Sequence, residues 1–233
     1  VLFKEPIDRA LAAGIPVVAY NAGNGPIVDG INYLTYIGQD EYQGGYLGGL
    51  RMVAAGGTQG VCINQQVGHA GLDKRCNGLL DAFAEKGLEA EVLAISDDPA
   101  ESQTVIGDYA TANPDTDAFL TLGPNGANPF YAWMESAGLG AGDLVHGTFD
   151  LSPEITANIE SGVTLFGIDQ QPYLQGYYAV LMLTMVNRYG ISPALPVTAT
   201  GPGFVDASNV GAETDPDRAV DFILVQHALC AWD

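Results

Sequence analysis

The sequence predicts an α/β fold made of parallel sheets, with one unit complete and a second one incomplete. Three observations carry that expectation. From residue 58 on, five apolar strands alternate with four helices, the rhythm of a doubly wound parallel unit. Three of those helices are expected to open on Pro directly behind a capping residue: Asp98-Pro99, Asn128-Pro129 and Ser152-Pro153. Before residue 58, by contrast, only two strands and two helices can be counted, and so small a sheet is marginal by itself.

The elements follow from local signals. "EPIDRALAAG" has Pro6 early in a helix and Gly14 as a stop, after which residues 15–20 read as a buried strand. "GIPVVAY" has the continuous apolar pattern of an interior parallel strand, which needs neighbours on both sides. The chain is therefore expected to lack the first β-α units of this lobe. "YLTYIG" is a second short strand, and Asp40 with Gln43 forms a capping-box pattern for a helix over 41–55. Strands are then expected at 60–65, 91–95, 118–122, 144–149 and 163–168. Helices are expected near 70–86, 99–112, 128–137 and 153–161. A helix over 172–188 and a strand around 195–200 complete the list.

Composition removes several function classes. The chain has 233 residues, 28 Asp and Glu against eight Lys and Arg, and a net charge of −20. Such a field repels phosphate backbones, so no nucleic-acid partner is expected. No apolar run approaches the roughly 20 residues of a membrane span. Cys62, Cys76 and Cys230 show no zinc-type spacing, and the three histidines form no metal-like cluster. Val1 is not an initiator Met, and the start is expected to have been removed or lost, with no signal peptide present.

In an open parallel sheet, ligands bind beyond the carboxyl ends of the strands. The residues following those ends are "NAGNG", "QQVGHAGLDKR", "GPNGANP", "DLSPE" and "DQQP". Asn21, Gln65, His69, Arg75, Asn125, Asp150 and Gln170 are therefore the candidate ligand-binding residues. Amides donate and accept, Asp accepts and Arg presents a fork of donors. That mixture matches the vicinal hydroxyls of a sugar or polyol. Plainer roles compete: Asp150 as a helix cap beside Ser152, Asn125 as a turn residue, His69 as a loop residue, Arg75 as a solvated face. Phe130, Tyr131 and Trp133, at helical spacing, read as core. No nucleophile elbow, P-loop or dinucleotide fingerprint is present, so no catalytic residue, cofactor or enzyme activity is expected.

"AAGIPVVAYNAG", "YIGQDEYQGGYLGG", "LDKRCNGLLDAF", "GTFDLSPE" and "IDQQPYLQGYYAV" together resemble the periplasmic sugar-binding proteins of ABC transporters, of the ribose/galactose type, over about residues 3 to 210. The resemblance implies two Rossmann-like lobes with parallel sheets joined by a hinge of three crossings, the N-terminal lobe incomplete in this chain. It divides the chain into 1–57 plus 172–194 and 58–171 plus 195–233. It implies an exported, periplasmic, monomeric receptor holding a sugar or polyol through Arg75, Asn125, Asp150 and Gln170 for a membrane permease. Asn21 departs from the pattern, which usually has a carboxylate there. The runner-up is a sensory or regulatory ligand-binding domain of the same fold. Export permits a Cys62–Cys76 disulfide; two buried thiols are the alternative. A bridge would leave Cys230 unpaired or paired with something missing from this chain.

Overall fold

The computed structural model describes residues 3–211, so the expectations for Cys230 and for the chain beyond 211 lie outside the described residues. In chain order the elements of the front are α1 (Lys4–Ala12), β1 (Ala19–Tyr20), α2 (Pro26–Asp29), β2 (Tyr36–Gln39) and α3 (Glu41–Ala54). There follow β3 (Gln59–Asn64), α4 (Ala70–Glu85), β4 (Glu89–Ala94), α5 (Pro99–Ala112), β5 (Ala118–Thr121) and α6 (Pro124–Ala137). The last are β6 (Val145–Phe149), α7 (Pro153–Glu160), β7 (Phe166–Asp169), α8 (Pro172–Tyr189), β8 (Val197–Gly201) and β9 (Gly203–Asp206).

These elements form two units. Among the described residues, one comprises 3–44 with Asp169–Gly203, and the other Gly45–Ile168 with 204–211. The expected division at 57/58, 171/172 and 194/195 therefore differs from the observed one at all three boundaries, by three residues at the second and by more at the other two. Strand β8 pairs parallel with β2, Tyr36 opposite Val197, and so belongs to the first unit's sheet. Most of α3 belongs to the second unit, because Gly49 brings it against Leu79 and Ala82 of α4 with no room for a side chain.

The second unit holds a six-stranded sheet in the order β4-β3-β5-β6-β7-β9. Neighbours from β4 to β7 run parallel. Strand residues alternate between faces, and here both faces are covered. Val61, Ile63 and Phe119 pack with Phe130 and Ile106 on one side. Cys62 and Leu120 pack with Phe83, Phe149 and Phe166 on the other. The sheet grows outward from β3 in both directions, so its topological switch point lies between β3 and β5.

Two of the three expected caps are in place. Asp98 Oδ1 accepts from Ala100 N and Glu101 N at 2.9 and 3.0 Å, and Ser152 Oγ accepts from Ile155 N at 3.2 Å. Asp40 Oδ1 likewise accepts from Gln43 N at 3.0 Å, opening α3. The third expectation was wrong. Asn128 caps nothing: α6 begins at Pro124 behind Gly123 and runs through Pro129. Pro129 forfeits one helical hydrogen bond. Burial of Pro129, Phe130, Tyr131 and Met134 on that helix offsets the loss.

The first unit is slighter. Its sheet has three parallel strands in the order β1-β2-β8. Ile31, Tyr33 and Tyr36 form its core, with Ile7, Leu11, Val17 and Ala19 packed against them. Of the expected strand over 15–20, Ala19–Tyr20 forms β1. Among the described residues it has a neighbour on one side alone, through Ala19 N to Thr35 O and Leu34 N to Val17 O. Ile15 and Tyr20 are more than half exposed in consequence, at 56% and 57%.

Candidate functional site

Three non-glycine residues among those described have a positive φ: Asn21 (63°), Asp150 (61°) and Gln171 (57°). All three lie at or just beyond the carboxyl end of a strand. Such conformations cost free energy and persist where the surroundings impose them, commonly at ligand sites. Asn21 and Asp150 are held in the same way. Each follows a strand directly and donates its backbone N–H to an isoleucine carbonyl on the next strand, Asn21 to Ile37 at 3.0 Å and Asp150 to Ile168 at 2.9 Å.

In the second unit, Arg75 rises from the buried side of α4 and is only 5% exposed. Its Nη1 donates to the carbonyl of Leu122, just past β5, at 3.0 Å. Its guanidinium carbon stands 4.2 Å from the centroid of Phe149, the last residue of β6. The cation thus crosses the carboxyl ends of two adjacent strands, and the ring beneath it adds cation–π attraction. The solvated-face alternative for Arg75 is excluded by that burial. Asp150 is half-buried, and its Oδ2 lies 3.2 Å from where a Cβ on Gly123 would be. With φ at 148°, Gly123 provides both the turn and the room for that carboxylate. Capping of α7 falls to Ser152, so Asp150 has no capping role there.

Gln65 follows β3 across the switch point from Gly123. Its Oε1 is buried and accepts no hydrogen bond within the protein. The loop that carries it is pinned from behind: Asp73 accepts from Asn64 Nδ2 at 3.1 Å and from Gly68 N at 3.1 Å. His69 is exposed and acts as the N-cap of α4, its Nδ1 accepting from Leu72 N at 3.4 Å. Asn125 is exposed in the first turn of α6, not in a loop. Arg75, Asp150 and Gln65 thus share one edge of this unit, whereas His69 and Asn125 are at its surface.

In the first unit, Gln170 is buried beyond β7. Its carbonyl accepts from Gln175 Nε2 at 3.0 Å and Thr200 Oγ1 at 2.8 Å. Asn21 is exposed, and its carbonyl accepts from Tyr36 Oη at 2.8 Å. Gln39 was missing from the candidates. It ends β2, is buried, and its Oε1 also accepts nothing within the protein. The signal that could have found it is a sequence pattern shared by the segments that leave β2 and β7.

The strongly perturbed histidine is elsewhere. His146 is fully buried in β6, its Nε2 3.1 Å from Thr121 Oγ1 and its Nδ1 2.9 Å from Thr164 Oγ1. Burial pushes its pKa down to about 3. It stays neutral in the core and faces no ligand edge. Cys62 and Cys76 are joined by a disulfide, with Cα atoms 5.5 Å apart. Among the described residues there is no group of three or more His, Cys, Asp or Glu suited to a metal ion. Nor is any helix among them long and apolar enough to cross a membrane.

A parallel α/β unit that gathers a guanidinium, a carboxylate and an amide along the carboxyl edge of its sheet is the build of a solute-binding domain. The chain belongs to the periplasmic binding protein domain family, which matches residues 2–188. It is 30% identical over 223 residues to the xylose/arabinose-binding protein XylF of Sulfolobus acidocaldarius, covering 89% of this chain and 54% of that protein. The chain thus spans about half the length of that relative. It is also similar to a carbohydrate transporter from Acidothermus cellulolyticus 11B, solved in complex with myo-inositol: 35% identity, TM-score 0.80, covering 89% of this chain and 71% of that one. A periplasmic sugar-binding protein of an ABC sugar transporter from Legionella pneumophila matches at 25% identity and TM-score 0.76, over 85% of this chain and 73% of that one. These relatives are solute-binding proteins, not enzymes.

Proposed function

We propose that this chain is a monomeric, exported solute receptor that captures a sugar or polyol and delivers it to an ABC transporter permease. The observation that carries the reading is Arg75, buried across the ends of β5 and β6 with Asp150 and Gln65 on the same edge. Guanidinium, carboxylate and amide together complement vicinal hydroxyls, each of which donates and accepts. The sugars named for the relatives, xylose and arabinose for one and myo-inositol for another, share that chemistry. Asn21 and Gln170 are proposed as the first unit's contributors, and His69 and Asn125 as contacts at the rim.

A thermal-shift panel of D-xylose, L-arabinose, other pentoses and hexoses, and myo-inositol tests this. A ligand that binds only the native state raises the melting temperature by mass action, about 2.7 kcal/mol at 100 times Kd. One stereochemical group is expected to raise it, and Arg75→Ala is expected to abolish the rise. No shift with any sugar at millimolar concentration would sink the proposal.

A further inference from the structure

The segments that leave β2 and β7 read alike. "YIGQDEYQGGY" (36–46) and "GIDQQPYLQGY" (167–177) align Ile37 with Ile168, Gln39 with Gln170, Tyr42 with Tyr173, Gly45 with Gly176 and Tyr46 with Tyr177. The structure repeats the correspondence. Each segment runs from a strand directly into a helix, β2 into α3 and β7 into α8. Each isoleucine carbonyl accepts from the left-handed residue after the preceding strand, Asn21 for Ile37 and Asp150 for Ile168. Gln39 therefore occupies in one segment the place Gln170 occupies in the other.

Three further facts single out its side chain. Gln39 is 2% exposed, and its Oε1 is buried without a donor. Its Nε2 donates to Glu41 Oε2 at 2.7 Å, which fixes the amide and decides which atom is left over. The β2–β8 register shifts between Gly38 and Gln39, setting Gln39 opposite Gly201; irregularities of this kind re-aim side chains beside ligand sites. A Cβ on Gly201 would sit tightly against Asp169 O at 3.0 Å and Gln39 Oε1 at 3.3 Å. A buried carbonyl oxygen held in place with no donor is desolvated with no bond in return.

We infer that Gln39 Oε1 accepts a hydrogen bond from one hydroxyl of the bound sugar or polyol, and that Glu41 positions it to do so. This deepens the sugar-receptor reading and rests on it. Gln39 is then a specificity residue: a site built to accept from a hydroxyl rejects the analogue lacking it, because its own oxygen stays unpaired.

The test is calorimetric titration of the full chain, Gln39→Leu and the near-isosteric Gln39→Met. Titrants are the best sugar of the panel above and each of its monodeoxy derivatives. The parent is expected to bind one deoxy derivative at least tenfold more weakly than the full sugar. Both variants should bind the full sugar at least tenfold more weakly than the parent does. They should no longer distinguish it from that deoxy derivative. A structural role alone would lower the ligand-free melting temperature and leave the discrimination unchanged, which overturns the inference while the receptor reading stands. A parent that tolerates every monodeoxy derivative overturns it without any variant. A parent that binds no sugar at all removes the receptor reading and this inference together.

Discussion

The two units draw on the same kind of sequence and bury it to different extents. In the second, the five largest fully buried side chains, Phe83, Phe119, Phe130, Phe149 and Phe166, cover both faces of a six-stranded sheet. In the first, a three-stranded sheet has a core of Ile31, Tyr33 and Tyr36. Its α1 buries no residue. Helix α8 buries Leu174, Gln175 and Ala179 but leaves Tyr173, Tyr177 and Val180 exposed. "GIPVVAY" is as apolar as "GVCIN", yet among the described residues its strand Ala19–Tyr20 is paired on one side and β3 on both. An apolar pattern states what a segment is able to bury; its neighbours decide whether it does.

The sharpest way to break this comparison is a pair of truncations. Phe119→Ala is expected to cost the second unit about 3–5 kcal/mol, the range for a large buried aromatic. Val17→Ala, half-buried just ahead of β1 in the first unit, should cost less than about 1.5 kcal/mol. Urea unfolding combined with hydrogen exchange on peptides from each unit reads both. Equal losses would mean the first unit carries a core comparable to the second.

A smaller effect should confine itself to one side. Removing the Cys62–Cys76 bridge with the double substitution to Ala releases a loop with a sequence separation of 14. The chain-entropy account gives about 3 kcal/mol for a loop of that size. Exchange in β3 and α4 should accelerate while that in β2 and β8 stays as it was. Acceleration in both would show the two units unfolding together.

The smallest effect is pH-dependent. Burial holds His146 down at about 3, whereas in the unfolded chain it titrates near 6.5. Between those values the unfolded state takes a proton that the folded state refuses, so stability falls as pH drops below about 6.5. The slope is at most about 1.4 kcal/mol per pH unit. From pH 6.5 to 5.5 the second unit should lose on the order of 1 kcal/mol more than a His146→Gln variant, measured by urea midpoints. Parallel midpoints for the two would refute the assignment of that limb to His146.

Much of the fold was legible where the signal is local. Asp98 and Ser152 cap the helices their sequences announce, since a cap and its N–H partners lie within three residues. The same signal misled at Asn128-Pro129, because Gly123-Pro124 offered a second start five residues earlier. The earlier start adds a turn that buries Gly126 and Ala127. Arg75 was legible from its place on the apolar side of α4. His69 was read as a loop residue beyond β3, and the structure makes it the N-cap of α4. Gln39 went unread because β2 passes straight into α3 and leaves no polar loop to collect.

The sequence by itself determined the alternation of strands and helices, two of the three Pro-marked helix starts, and the polar residues at successive strand ends. These depend on periodicity and on contacts within a turn of chain. Tertiary structure alone decided the switch point between β3 and β5, the Cys62–Cys76 pairing and the placing of β8 in the first unit's sheet. That last pairing brings Thr35 Oγ1 within 3.4 Å of Thr198 Oγ1, 163 residues along the chain. Such a contact is made only once the entropy of closing the long intervening chain has been overcome, so no window of local sequence records it.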